Sequence, residues 1–464
     1  MKKLFTAVAC AVLAFAMLLC GCTEPEPGRD GRDGKDAQDV SIYEIYEAAK
    51  TVEGNENLTL DEFLKQYLSY SDSSVNLQSA INRSLMSGVS VLSRFSYTSK
   101  HQSSIPGVIS NRTSYKVFTG SGAILWLDKN AGDAYVVTNC HVIYDDTADV
   151  KFCKDVRLYL YGQDESGFNY SVDLSYNILG DDNYRIQAEV IGASVTYDIA
   201  LLKVTGSEVL KRSDAIAASF SDKTDVYTGE YVYAVGNASG EGLSASNGII
   251  SKDSEYIDLS ISEKESPSES DYNQYRVMRT TAAINHGNSG GALYNKNGEI
   301  VGIVNAKDEG EDIDNMGYAL PANSVKPLLQ LMYDSYVENG NSMLSGGGIK
   351  KAYLNVETKA TDSYSRYNNS TGLAEITEHI IVSRTVGAPA KNNLQEDDYF
   401  KAVKIVSSDG TVKLQLNVKR RYHIPEAMLS VRNGDTVIIT VERGGEDVDV
   451  SIAFDSKDYF KLFA

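Results

Sequence analysis

From about residue 113 to 320 the apolar residues come in short runs, often alternating with polar ones and broken by Gly, Asn and Asp. Alternation with period two, in segments rich in Val, Ile and Tyr, fits strands that bury one face, so strands are expected at 114–118, 134–138, 156–161, 189–191, 231–235, 248–251 and 300–305. The period then lengthens: over 323–337, Val325, Leu328, Leu329, Met332 and Val337 recur at helical spacing and predict an amphipathic helix with those five on one side. Two shorter helical patterns lie near the N-terminus. Ser41-x-x-Glu44 and Thr59-x-x-Glu62 both fit capping boxes, followed by the stripes Ile42, Ile45, Tyr46, Ala49 and Leu60, Phe63, Leu64, Tyr67, Leu68. They predict a small helical unit over 41–70, either a stand-off from a surface or a self-association element. Gly346–Gly348 reads as a linker, and a second strand-rich unit begins near 350.

The first residues have another pattern. Met1-Lys2-Lys3 supplies a positive start, and residues 4–19 form an apolar core too short for a comfortable membrane span. The run Leu19-Cys20-Gly21-Cys22 then turns abruptly polar. This resembles a bacterial lipoprotein signal, with 1–21 removed and Cys22 lipidated; the alternative is an ordinary secretory signal with incidental cysteines. Residues 22–40 follow as a charged tether, since the three Gly-led triplets of 28–36 contain no proline and are too few for a triple helix.

Candidate chemistry sits at 284–293, Ile-Asn-His-Gly-Asn-Ser-Gly-Gly-Ala-Leu. Gly287, Gly290 and Gly291 leave Ser289 little covered and permit backbone angles that aim successive N–H groups at one spot beside the hydroxyl. An exposed nucleophile beside amide donors is the local requirement for acyl transfer. A serine hydroxyl needs a base, and the base needs an orienting carboxylate. Of the five histidines, His141 ends the β-branched run 134–143. Asp198 opens the apolar run Ile199–Val204. Taken singly, His141 reads as a satisfied core histidine and Asp198 as a turn residue. In the order His, Asp, Ser they match chymotrypsin-type triads and no subtilisin or α/β-hydrolase order.

With Gly120-Ser-Gly-Ala-Ile, Thr138-Asn-Cys-His-Val-Ile, Tyr197-Asp-Ile-Ala-Leu-Leu-Lys, 283–293 and Gly317-Tyr-Ala-Leu-Pro in this order, the chain resembles the HtrA (DegP-like) family of trypsin-fold serine proteases. The resemblance implies a mainly β fold: a trypsin-like double β-barrel over 75–340, then a PDZ-like α+β domain over 350–464. It implies His141 as base, Asp198 as orienting acid and Ser289 as nucleophile. The N–H groups of Gly287, Asn288 and Ser289 become the oxyanion donors. His286 stands where the family usually has Pro, which predicts a less rigid oxyanion loop. The pocket for the residue before the cut is expected between 282–285 and 302–306, with Ala283, Ile284, Ile303 and Asn305 in its walls. No charged side chain lies there, which favours Val or Ala. In the last unit the carboxylate-binding loop maps to Tyr353, Leu354, Asn355 and Val356; Asn355 replaces a usual Gly, and residues 357–379 look like an insertion. The family also implies a homo-oligomer, a trimer.

Composition narrows the rest. With 42% hydrophobic residues the chain supports real cores, and its net charge of -19 argues against nucleic acid and against electrostatic attachment to anionic lipid. After signal removal only Cys140 and Cys153 remain besides Cys22; they read as free buried thiols rather than a disulfide framework. No zinc or phosphate-loop motif is present, and the acidic run 308–314 reads as a solvated loop before a Ca²⁺ site, so no cofactor or metal is expected. The chain therefore reads as an extracytoplasmic, lipid-anchored serine endopeptidase of the bacterial envelope acting on unfolded polypeptides. The alternative is an idle PDZ-bearing adaptor or chaperone.

Overall fold

The computed structural model describes residues 50–51, 73–102, 109–163, 170–173, 175–180, 183–223, 225–260, 272–307, 316–343 and 349–463. The expected leader 1–21, Cys22, the tether 22–40, the helical unit 41–70 apart from Lys50 and Thr51, and the acidic run 308–314 lie outside the described residues. Residues 75–464 cluster as one compact unit, described here.

Helix α1 (Ser73–Leu85) leads into β1 (Gly88–Gln102), β2 (Ile109–Asp128), β3 (Asp133–Thr138), the one-turn helix α2 (Cys140–Ile143) and β4 (Asp155–Leu160). A small hairpin of β5 (Tyr170–Val172) and β6 (Ile178–Gly180) precedes β7 (Ile186–Ser194) and β8 (Ile199–Val204). Six of these strands close into a barrel in the order β1-β2-β3-β8-β7-β4. Its lining follows from the alternation: Val89, Val91, Ile124, Val136, Leu158, Ala188 and Leu202 point inward and share one core. Closure leaves no strand edge to be capped.

After the short helix α3 (Glu208–Arg212) the pattern repeats with β9 (Tyr231–Gly236), β10 (Ser244–Ser260), β11 (Tyr272–Thr280), β12 (Ala292–Asn295), β13 (Ile300–Lys307) and β14 (Gly317–Pro321). They form a second closed barrel, β10-β11-β14-β13-β12-β9. A larger core unites residues of both barrels, Ala123 and Val137 with Val235, Ala292 and Ile303, so the two are packed rather than tethered. Helix α4 (Ala322–Glu338) covers this core with Val325, Leu328, Leu329 and Met332. Val337, expected on that side, is exposed, and Tyr336 is buried instead. At about 100° per residue, Val337 is about 140° round the helix from Met332, whereas Tyr336 is only about 40° away. The strand expected at 156–161 ends one residue early, at Leu160; the others fall inside observed strands.

In the last part β15 (Ile349–Ala352) pairs with β22 (Phe460–Phe463). Beside them a sheet runs β16 (Val356–Asn368), β17 (Leu373–Thr385), β18 (Tyr399–Val406), β20 (Thr436–Arg443), β21 (Glu446–Ala453), with β19 (Val412–Asn417) on β18. Helix α5 (His423–Leu429) packs on it, and Ile380, Val382, Phe400, Val403, Ile405, Met428, Val437 and Ile439 form its core. Residues 357–379, expected as an insertion, build most of the β16–β17 hairpin, paired in register from Val356↔Thr385 to Asn368↔Leu373. A partly buried ion pair fastens this part to the second barrel: Arg276 Nε lies 2.6 Å from Glu426 Oε1, which also accepts from Ser324 Oγ at 2.6 Å.

Candidate active site

The seam between the barrels collects the residues singled out by the sequence. The apolar strand β3 is zipped between β2 and β8 and stops at Thr138, whose hydroxyl donates to the Ser121 carbonyl at 2.7 Å. The chain then turns into α2, which presents His141 at the seam. Asp198 sits in the turn between β7 and β8 with φ +49°, a left-handed conformation that Asp tolerates better than most residues, and it is fully buried. Its carboxylate accepts the His141 backbone N–H at 2.8 Å through Oδ1 and meets His141 Nδ1 at 2.7 Å through Oδ2. An ionised carboxylate there places the imidazole proton on Nδ1 and leaves Nε2 as the basic nitrogen. The bland alternatives for these two residues, core histidine and plain turn, do not describe this buried pair.

A further donor completes the carboxylate. Asn305 on β13 donates from Nδ2 to Asp198 Oδ2 at 2.6 Å, while its Oδ1 accepts the buried Tyr275 hydroxyl at 2.8 Å. Three hydrogen bonds thus offset the desolvation of Asp198. Asn305 is therefore not the pocket-wall residue expected from the sequence. Its carbonyl also accepts from Ser289 Oγ at 3.0 Å, so one residue touches both the acid and the hydroxyl. The sequence held no signal for Tyr275, because its partner Asn305 lies 30 residues away on β13, a strand separated from β11 by β14, and only the folded barrel brings the two side chains together. The Cys140 thiol beside His141 is buried, and burial followed by the Asp198 charge pushes its pKa well up. Burial also raises Cys153, to about 11. Both are free thiols.

Ser289 lies in the loop between β11 and β12, and hydrogen bonds hold four successive peptide planes there. The His286 carbonyl accepts from the Ser239 N–H at 2.7 Å. The Gly287 carbonyl accepts from Ser121 Oγ at 2.6 Å. The Asn288 carbonyl accepts from the Gly291 N–H at 2.9 Å, and the Ser289 carbonyl from the Ser121 N–H at 2.8 Å. Gly287 (φ +91°) and Gly290 (φ +86°) adopt angles that side chains resist, and a Cβ would come within 2.1 Å of the Asn237 carbonyl oxygen at the first and 2.2 Å of the Ser121 carbonyl oxygen at the second. Asn288, expected as an oxyanion donor, is a correction: its N–H is spent on the Asn285 carbonyl at 3.0 Å, closing a turn. Among the described residues, the N–H groups of Gly287 and Ser289 donate to no protein acceptor. His286 stands where a proline ring was expected, and the Ser239 N–H holds its carbonyl.

Of the other expected pocket residues, Ala283 is exposed and Ile284 buried beside Gly317. Ile303 is a second correction: it is fully buried in the core between the barrels, since strand alternation turns it the same way as Asn305. In the last part, Leu354 and Asn355 direct their carbonyls inward to the N–H groups of Ala390 and Val386, at 3.1 and 2.9 Å. Asn355 has φ +58°, an angle Asn accepts more readily than most residues, and its side-chain amide is turned aside onto the Ala388 carbonyl.

The chain is similar to several known proteins. The trypsin-like peptidase domain family matches residues 120–303. The chain is 29% identical over 364 residues to the "Serine protease Do-like HtrA" of Bacillus subtilis (strain 168), covering 77% of this chain and 68% of that protein. It is 32% identical over 240 residues to the "Periplasmic serine endoprotease DegP" of Salmonella typhimurium, covering 51% of this chain and 40% of that one. A solved structure, "HtrA-type protease AlgW with decapeptide", aligns with a TM-score of 0.46 and 21% identity over 84% of this chain and 99% of its own.

Proposed function

The chain belongs to the HtrA/DegP-like family of trypsin-fold serine proteases, and from that membership we propose that it is an extracytoplasmic serine endopeptidase cutting unfolded or misfolded polypeptides. Ser289 attacks the scissile carbonyl, His141 Nε2 takes the hydroxyl proton and returns it to the leaving amine, and Asp198 keeps the other imidazole proton on Nδ1. The amides of Gly287 and Ser289 receive the oxyanion. Ser289 Oγ must first leave the Asn305 carbonyl, a rotation that exchanges one ordinary hydrogen bond for another. The observation that carries the reading is the buried Asp198 carboxylate bonded twice to His141 and once to Asn305, whose carbonyl accepts from Ser289 Oγ.

The proposal assigns catalysis to 75–340 and peptide capture to 350–464. Supporting the second is the loop 353–356: among the described residues, the Leu354 and Asn355 N–H groups have no acceptor, as a cradle for a terminal carboxylate needs. It also includes lipidation at Cys22 and assembly into a homo-oligomer, a trimer by family resemblance. The segment 282–285 before the oxyanion loop contains no charged residue, which supports Val or Ala before the cut.

Digestion of casein tests the activity. Because hydroxyl, base and acid act as a unit, Ser289→Ala and His141→Ala each lower the rate on the order of 10⁴-fold or more, and the double variant is little worse than either. Substantial activity in Ser289→Ala refutes the assignment. Fluorophosphonate labelling of Ser289 separates a protease from an idle adaptor, and metabolic fatty-acid labelling lost in Cys22→Ala tests the anchor.

A further inference from the structure

We propose that Ser121 is a positioning residue of this site, bracing the loop that presents the Gly287 and Ser289 amides to the oxyanion; the inference rests on the reading of Ser289 as nucleophile. Ser121 comes from β2 of the first barrel, is fully buried, and touches the oxyanion loop of the second barrel at two points. Its N–H holds the Ser289 carbonyl at 2.8 Å and its hydroxyl holds the Gly287 carbonyl at 2.6 Å.

The direction of the second bond is forced. The Asn237 N–H donates to Ser121 Oγ at 2.7 Å, so the only hydroxyl hydrogen is left for the Gly287 carbonyl. The same hydroxyl therefore joins two segments, 237–240 and 286–289. These segments are in close contact, since a Cβ at Gly287 would lie 2.1 Å from the Asn237 carbonyl oxygen. Two residues beyond Asn237, the Ser239 N–H holds the His286 carbonyl and with it the plane that carries the Gly287 N–H. A carbonyl and the following N–H point in opposite directions across a planar peptide, so fixing the His286 carbonyl aims the Gly287 amide. Removing the Ser121 hydroxyl leaves the buried Asn237 N–H and the Gly287 carbonyl unpaired and loosens the join between the two segments, while the Ser121 N–H keeps its hold on the Ser289 carbonyl. Glycine at 287 offers no steric resistance to the resulting rotation.

The test compares wild type, Ser121→Ala and Ser121→Cys, with kcat expressed per active site titrated. Loss of one oxyanion donor costs about 10²–10³ in kcat, and loss of its positioning a part of that, so Ser121→Ala is expected to lose about 10–100-fold with KM within about twofold. The acid limb of its pH profile stays where the wild type has it, because the bonds between His141 and Asp198 are untouched. A peptide aldehyde, whose hemiacetal oxygen occupies the oxyanion site, binds about 10-fold or more weakly; a merely smaller folded fraction would leave its inhibition constant unchanged. Ser121→Cys keeps the side chain's shape with a poor donor and carries the test if the alanine variant does not fold; the aldehyde weakens there too. Unchanged aldehyde binding and kcat in a folded variant, with wild-type activity still abolished by Ser289→Ala, overturns this inference alone. Wild-type activity that survives Ser289→Ala overturns the reading of the nucleophile and this inference with it.

Discussion

Asn305→Ala probes how the buried acid is held. The substitution deletes the 2.6 Å bond from Nδ2 to Asp198 Oδ2 and leaves the Tyr275 hydroxyl without its acceptor. A hydrogen bond to a charged group is worth about 1.5–3 kcal/mol, and an unpaired buried hydroxyl costs about 1–3 kcal/mol, so the fold loses stability. The catalytic effect is smaller than loss of the acid, because His141 keeps both of its bonds to Asp198. Abolishing the carboxylate's role costs about 10⁴ in kcat in the well-studied triads; loosening it by one of three donors is expected to cost about 3–30-fold. The pH dependence has a definite sign. A carboxylate with one donor fewer is a stronger anion, and a stronger anion favours the protonated imidazolium. The acid limb of kcat/KM therefore moves to higher pH, by about 0.5–1 unit if about 1 kcal/mol of the lost bond is felt at the imidazole. Rates on a short peptide substrate between pH 5 and pH 9, normalised to titrated sites, measure both quantities. An acid limb that stays put, or moves down, refutes the account of Asn305 as the partner of Asp198.

Gly287→Ala should be nearly inactive yet folded enough to purify, because φ +91° and a Cβ within 2.1 Å of the Asn237 carbonyl oxygen force the oxyanion loop to move; wild-type kcat would refute it. Both thiols should resist alkylation in the native protein at pH 8, since burial raises Cys140 well up and Cys153 to about 11; rapid labelling by iodoacetamide without denaturant would contradict this. Lys351 donates to the Tyr197 hydroxyl at 2.9 Å, and burial lowers its pKa to about 8. Below pH 8 the folded and unfolded chains both hold that proton and the desolvation cost is complete. Between pH 8 and the ordinary lysine value the unfolded chain holds more of it, so this residue makes stability rise with pH. Lys351→Met should therefore stabilise the protein at pH 7, on the order of 1–3 kcal/mol, and remove that rise; denaturant titrations at pH 7 and pH 9.5 decide it.

The elements legible in the sequence were those whose local period matched their tertiary surroundings. Strand β3 and helix α4 could be read because each buries one continuous face, at spacings of two and of 3–4 residues. The long arms of β1, β2, β16 and β17 were harder, because much of their length is exposed and polar and shows no one-sided pattern. Val337 shows the limit within a single helix: an apolar residue of about the right spacing lies about 140° round from Met332 and is exposed, while Tyr336, about 40° away, is buried.

By itself the sequence determined the chemistry available: one serine framed by glycines, one histidine after a β-branched run, one aspartate before another, in a recognisable order. It could do so because those requirements are local; angles such as φ +91° at Gly287 and +86° at Gly290 favour glycine whatever surrounds it. Only the tertiary structure decided which amides remain free beside Ser289, that Asn288 is spent on its own turn, and that Asn305 serves Asp198 rather than a pocket. Those outcomes depend on which donor meets which acceptor across two barrels, between residues as far apart as Ser121 and Gly287. No window of sequence contains that pairing, because a hydrogen bond is set by distance and direction in the folded chain.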